Sequence, residues 1–266
     1  MPTLLTEIHS VPGGKIFQIT MNRPEVHNCV NGEMAKRFTE AWLQFRDDPT
    51  LTVCVLHGAG DKSFCSGADL AALGELANIY ASEEEVLEFV ASGVGPLGGS
   101  RIVQYKPVIT VSHGYTYAGG LELFCHGHIR VAEKQAVFSV ACRRWGVPLV
   151  DGGTVYLPRL LGMANALPLI ITGQRIRAER AREIGLVWEL TEKGKGLARA
   201  MSIARQVCEQ PRDALFADMK STIDGYSLPV AAALTLEAEN LHPVMRSEST
   251  KQGVEKFNAG ERFWVR

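Results

Sequence analysis

The chain opens on two short runs in which apolar and polar residues alternate, Leu4 to His9 and Lys15 to Met21. Pro12, Gly13 and Gly14 lie between them, and the pattern predicts a hairpin. From Asn31 to about Arg46 the period changes, with Met34, Phe38, Trp42 and Phe45 on one face of a predicted helix and Asn31 placed to cap it. Leu51 to Leu56 and Pro107 to Ser112 are continuous apolar runs, the signature of strands buried on both faces. A polar, glycine-rich loop is expected from Gly58 to Gly67, then helix from Ala68 to about Gln104, interrupted between Gly93 and Gly99. A turn over Gly114 to Gly119 leads into a short helix, Gly120 to His126, and Ile129 to Ala132 and Ala136 to Ser139 read as strands. After Gly153 helical periodicity dominates, broken by a strand over Leu186 to Leu190. The prediction is an α/β core over residues 1–195 followed by an all-helical region, 196–266.

Composition narrows the function. With 28 Lys+Arg against 29 Asp+Glu the net charge is −1, which excludes the basic surplus of a general nucleic-acid binder. No run of 18 apolar residues is present, so no membrane-spanning helix is expected. The start of the chain lacks the pattern of an export signal. The six cysteines are scattered, without a Cys-x-x-Cys pair, as in a protein of a reducing compartment. A cytoplasmic location is therefore expected.

Two chemical motifs fail on context. Gly93 to Gly98 matches Gly-x-Gly-x-x-Gly, but it follows a helical stretch rather than a strand and contains a proline, so it reads as a helix break or lid. Cys125, His126 and His128 resemble part of a zinc site, yet no second cluster completes four ligands. No metal and no cofactor are expected. His57 and His113, each at the end of a buried strand, read as ordinary hydrogen-bonded histidines.

Two other segments lie between a buried strand and a helix: Lys62 to Leu70 and Gly114 to Glu122. Such junctions expose unpaired N–H groups at a helix start, and glycine lets a ligand come close. Two on neighbouring strands can aim two N–H groups at one oxygen, as an oxyanion hole does, or simply serve tight packing.

The chain resembles the crotonase (enoyl-CoA hydratase/isomerase) family. The residues that carry the resemblance are Asn22-Arg23-Pro24, the run Phe64 to Leu70, Lys106 to Ile109 and Gly119 to Glu122. They continue with Gly152-Gly153-Thr154, Leu157 to Leu160, Thr172 to Ile176 and Ala181 to Val187. The resemblance implies a spiral of ββα turns with C-terminal helices that trimerise, often into a hexamer, and an acyl-CoA thioester as the ligand. It implies oxyanion donors at the N–H groups of Ala68 and Gly119. It implies a CoA path along Val26 and the backbone of Ser66, Gly67, Ala68, Asp69 and Leu70, with Gly120 and Cys142 also at the substrate. Lys62 is placed either to reach a CoA phosphate or to be a solvated loop lysine.

Glu122 matches the first of the two carboxylates used by the family's hydratases. The position of the second holds Cys142, and a thiol differs in pKa and geometry. Asp151, nine residues on, is the expected replacement acid or base, with a helix-capping role as its alternative. Arg143 and Arg144 beside Cys142 leave three options open: pairing with Asp151, facing an acidic acyl group, or surface exposure. Tyr115, Tyr117 and the stretch from Gly93 to Gly99 are expected to shape the acyl pocket. The expected activity is hydration of a 2-enoyl-CoA through an enolate. The alternatives are a double-bond isomerase working with one carboxylate, another crotonase reaction, or an acyl-CoA-binding protein with little turnover.

Overall fold

The computed structural model describes residues 1–72, 76, 82–85, 88 and 94–261. Strands β1 (Leu4–Val11) and β2 (Gly14–Met21) form the predicted antiparallel hairpin, each longer than expected, so that the turn shrinks to Pro12 and Gly13. β3 (Val53–Gly58) pairs parallel to β2 and β5 (Val108–Ser112) parallel to β3. β7 (Ile129–Glu133) and β10 (Glu189–Thr191) complete a six-stranded sheet in the order β1-β2-β3-β5-β7-β10.

A second sheet was not anticipated. β4 (Ser63–Cys65), β6 (Tyr115–Tyr117), β8 (Val137–Ser139) and β9 (Ile176–Arg177) pair in that order. β4 and β6 fall in stretches expected to be loop and turn. They are three residues long, too short for a periodic signal to rise above the neighbouring glycines. The chain thus alternates between sheets: β3 then β4, β5 then β6, β7 then β8. This is the expected spiral, each turn adding one strand to each layer.

Both faces of β3 are covered, which explains its unbroken apolar sequence. Cys54 and Leu56 face a core that includes Phe17, Phe38, Trp42 and Phe45. Val53 and Val55 face the other way, with Ile16, Ile109, Val111 and Val131, against Ala200, Ile203 and Ala204. The last three belong to the helix Gly196–Cys208. That helix, the first of the expected helical region 196–266, packs on the sheet. The following helices Arg212–Gly225, Val230–Leu241 and Glu248–Asn258 contain no buried residue. His242 and Pro243 separate the helix Val230–Leu241 from a short 3₁₀ turn, Val244–Arg246, that precedes the last helix.

The helix Gly32–Asp47 starts as predicted, with the Asn31 side chain accepting the Met34 N–H at 3.0 Å. The helix expected to reach Gln104 is not found there: residues 94–101 form turns, and Ile102 to Gln104 have no regular structure. Gly93 and most of residues 73–92 lie outside the described residues.

Candidate active site

The motif Asn22-Arg23-Pro24 holds the first wall of the site. Arg23 Nη1 pairs with Asp69 Oδ2 at 2.8 Å and donates to the Cys29 carbonyl at 2.8 Å. Asn28, fully buried, accepts the Arg23 N–H and donates to the carbonyls of Ala59 and Ser63. Asp69 therefore fixes the loop rather than offering a free carboxylate.

On that loop Val30 donates its N–H to the Gly67 carbonyl and accepts the Asp69 N–H, both at 2.8 Å. Ala68 sits between these bonds in a parallel bridge, so its own N–H turns to the opposite side. The second wall comes from Ala118 and Gly119. Gly119 is the first residue of the helix Gly119–Cys125, and its N–H has no partner within that helix. Ala118 precedes it at φ 50 and ψ −125, a conformation that L side chains rarely adopt. Such strain is concentrated where a backbone group must be aimed, and here it sets the direction of the Gly119 N–H. The two walls touch: a Cβ on Gly67, at φ +93, would stand 2.7 Å from the Gly119 nitrogen.

Between these walls is a cavity of about 400 Å³. Of the residues expected at the site, it is lined by Ser66, Ala68, Asp69, Leu70, Gly119, Glu122, Cys142 and Asp151. Val26, Lys62, Gly67 and Gly120 do not line it. Gly120 has a packing role instead, because a Cβ there would come within 2.1 Å of the Cys65 carbonyl oxygen. Tyr117 contributes to the wall as expected; Tyr115 does not. Leu97, within the stretch Gly93 to Gly99 expected at the acyl pocket, lines it too. Trp145 also lines it and was not foreseen, since it stands on a short 3₁₀ segment that carries no periodic signal.

Glu122 and Asp151 are each 2% exposed. Glu122 Oε1 accepts the N–H of Asp151 at 2.9 Å and of Gly153 at 2.7 Å. Burial, and next the nearby Asp151 charge, push its carboxyl up to about 8 against the pull of those N–H groups. Asp151 does not cap the helix Gly153–Leu161, whose N-cap is Gly152. Its Oδ1 instead accepts the Leu97 N–H at 2.9 Å and the Ser100 hydroxyl. Burial raises its carboxyl as well, opposed by these two donors and by Arg101. Arg101 in turn donates to the Val150 carbonyl at 2.8 Å, tying the turn at 94–101 to the Asp151 loop. Burial thus raises both acids, and the Asp151 charge adds to the rise of Glu122, so the site favours a neutral Glu122 carboxyl near neutrality.

The cysteine and histidine cluster at 125–128 is structural. His128 Nδ1 accepts the Val108 N–H at 3.0 Å, and Cys125 is buried in the core. Among the described residues no three His, Cys, Asp or Glu side chains are grouped to hold a metal ion.

The comparisons with known proteins agree with this geometry. A family model described as enoyl-CoA hydratase/isomerase matches residues 13–263. The chain belongs to that family. It is 31% identical over 248 residues to (E)-benzylidenesuccinyl-CoA hydratase of Thauera aromatica, covering 93% of each protein. It is 28% identical over 249 residues to short-chain-enoyl-CoA hydratase of Clostridium acetobutylicum, covering 92% of this chain and 91% of that one. The crystal structure of enoyl-CoA hydratase from Mycobacterium tuberculosis H37Rv superposes with a TM-score of 0.87 at 30% identity, covering 98% of both chains. The fold is that of the enoyl-CoA hydratase/isomerase family, and the described cavity lies where two turns of its spiral meet.

Proposed function

We propose that this chain is a lyase that hydrates the double bond of a 2-enoyl-CoA thioester. The observation that carries the reading is the pair of buried acids, Glu122 and Asp151, in the same cavity as the backbone of Ala68 and Gly119. The thioester oxygen lies between the N–H groups of Ala68 and Gly119. As hydroxide character builds on the attacking water, the negative charge that develops on this oxygen meets two donors already in place, each worth about 3 kcal/mol in such sites. Asp151, as carboxylate, takes a proton from water; the hydroxyl adds to C3 and the double bond becomes single. Neutral Glu122 delivers a proton to C2. The hydroxyl comes from water directly, and passage of the proton from Asp151 back to Glu122 replaces the one given to C2, so the net addition is one water and the reaction needs no group beyond the CoA carried by the substrate.

The CoA moiety is expected to run along the loop from Ser66 to Leu70, with Val26 and Lys62 outside the cavity on its path. The helices after Pro211 supply contacts to other copies of the chain, in a trimer or hexamer. Val230 is 76% exposed, Met245 70% and Tyr226 66%, a larger apolar surface than an isolated helical hairpin needs. Light scattering at three or six times 29.1 kDa supports this, and a stable monomer contradicts it. No helix among the described residues is long and apolar enough to cross a membrane, and all six cysteines are free, in keeping with a cytoplasmic setting.

The test is turnover of crotonyl-CoA with product mass analysis. A gain of one water is expected, and Glu122→Gln and Asp151→Asn should each lower the rate by about 10²-fold or more. If Asp151→Asn is silent and the product is a shifted double bond without added water, Glu122 acts alone and the chain is an isomerase. Binding of acyl-CoA without any turnover leaves a binding protein.

A further inference from the structure

One wall of the cavity is built from Tyr117, Cys142 and Trp145. Around it stand three guanidinium groups. Arg175 Cζ lies 5.6 Å from the centre of the Tyr117 ring. Burial raises the Tyr117 hydroxyl, and the charges of Arg175 and Arg144 pull it back. Arg143 bears in the same way on the Cys142 thiol and is anchored through Nε on the Ile170 carbonyl at 3.2 Å. The ion pairs among the described residues involve Arg23, Arg37, Arg46, Arg180 and Arg199, and none of these three. Arg144 has no hydrogen-bond acceptor among the described residues.

Cys142 gives the wall a neutral thiol where the resemblance implies a carboxylate, so the wall carries no acid there against Arg143 and Arg144, which are both exposed at its edge. Cationic groups at the edge of a low-dielectric cavity attract an anion more strongly than the same groups in open solvent. Trp145, 72% exposed and yet part of the wall, follows Arg143 and Arg144 on the same short 3₁₀ segment.

We infer that the acyl group taken by this site carries a carboxylate at its far end, held by Arg144 and Arg175 beyond the Tyr117–Cys142 wall. The inference rests on the hydratase reading and names its substrate class: a dicarboxylic acid joined to CoA through one of its two carboxyls.

The experiment compares crotonyl-CoA with glutaconyl-CoA, which differs by a carboxylate on the terminal carbon. The expected kcat/KM is about tenfold or more higher for glutaconyl-CoA, the worth of a hydrogen bond to a charged group. In the double variant Arg144→Ala, Arg175→Ala that ratio falls toward one. Equal rates or a preference for crotonyl-CoA in the unaltered protein overturn the inference. So does an equal loss for both substrates in the double variant, which would put the arginines on the CoA phosphates common to the two. If neither thioester is turned over, the hydratase reading fails, and calorimetry with glutaryl-CoA and butyryl-CoA decides the inference by itself. Tighter binding of glutaryl-CoA, lost in the double variant, sustains it; equal affinities sink it.

Discussion

Glu122 takes the backbone N–H of Asp151 on its Oε1 at 2.9 Å, so the two acids are joined through the main chain of one of them. Their titrations are therefore coupled. Glu122 is pushed up to about 8, above the ordinary value of 4.5. Between those limits the unfolded chain has released this proton and the native chain still holds it. Stability from this group is complete below pH ~4.5, falls as pH rises, and is gone above about 8. The midpoint of urea unfolding should fall between pH 5 and pH 8, and by less in Glu122→Gln. As the proton donor to C2, Glu122 should also make kcat/KM decline as pH rises through about 8.

Ser100 holds one oxygen of Asp151, together with the Leu97 N–H. Ser100→Ala removes one of the interactions that favour the carboxylate. The expected result is a kcat lower by about tenfold, a nearly unchanged KM and an acidic limb moved to higher pH, with Ser100→Thr restoring the wild-type profile. A change confined to KM would make Ser100 a mere support of the pocket.

Gly67 and Ala118 should respond in opposite ways. Gly67→Ala places a methyl group 2.7 Å from the Gly119 nitrogen in a backbone conformation at φ +93, and should cost 10²-fold or so in turnover by disturbing the oxyanion donor. Ala118→Gly relieves a strained residue at φ 50 and should raise thermal stability by about 1 kcal/mol or more while activity is kept. Circular dichroism melts and steady-state rates on both variants check the pair.

Cys142 is held above the usual thiol range by burial and by Glu122. It remains a neutral thiol near pH 7 and cannot serve as a base there. Cys142→Ala should change turnover by less than about threefold, far from the 10²-fold cost of losing a positioned acid or base. Abolished turnover in this variant would transfer the second role from Asp151 to the thiol.

Much of this site was legible in the sequence because its key residues are backbone positions beside glycines. Gly67 and Gly119 mark the approach of two loops, and Glu122 follows at a fixed distance along a short helix. Asp151 was readable as an acid but not as a partner of Ser100. The Leu97 and Ser100 contacts span more than fifty residues and leave no periodic trace. Ala118 was hidden for another reason: its strained conformation is imposed by the fold on a residue whose type does not announce it. The second sheet escaped because β4 and β6 are held by pairing across the spiral rather than by local propensity, which tertiary contacts override.

The alternation of strands between two sheets has a kinetic consequence. The cavity is closed by segments from residues 66–70, 94–101, 117–122 and 141–153, and no single turn of the spiral contains a working part of it. Contacts of long sequence separation form late, since the loops they close must first lose their freedom. During refolding, helical signal should return before activity, and the last event should be the docking of Asp151 on the turn at Leu97, 54 residues away.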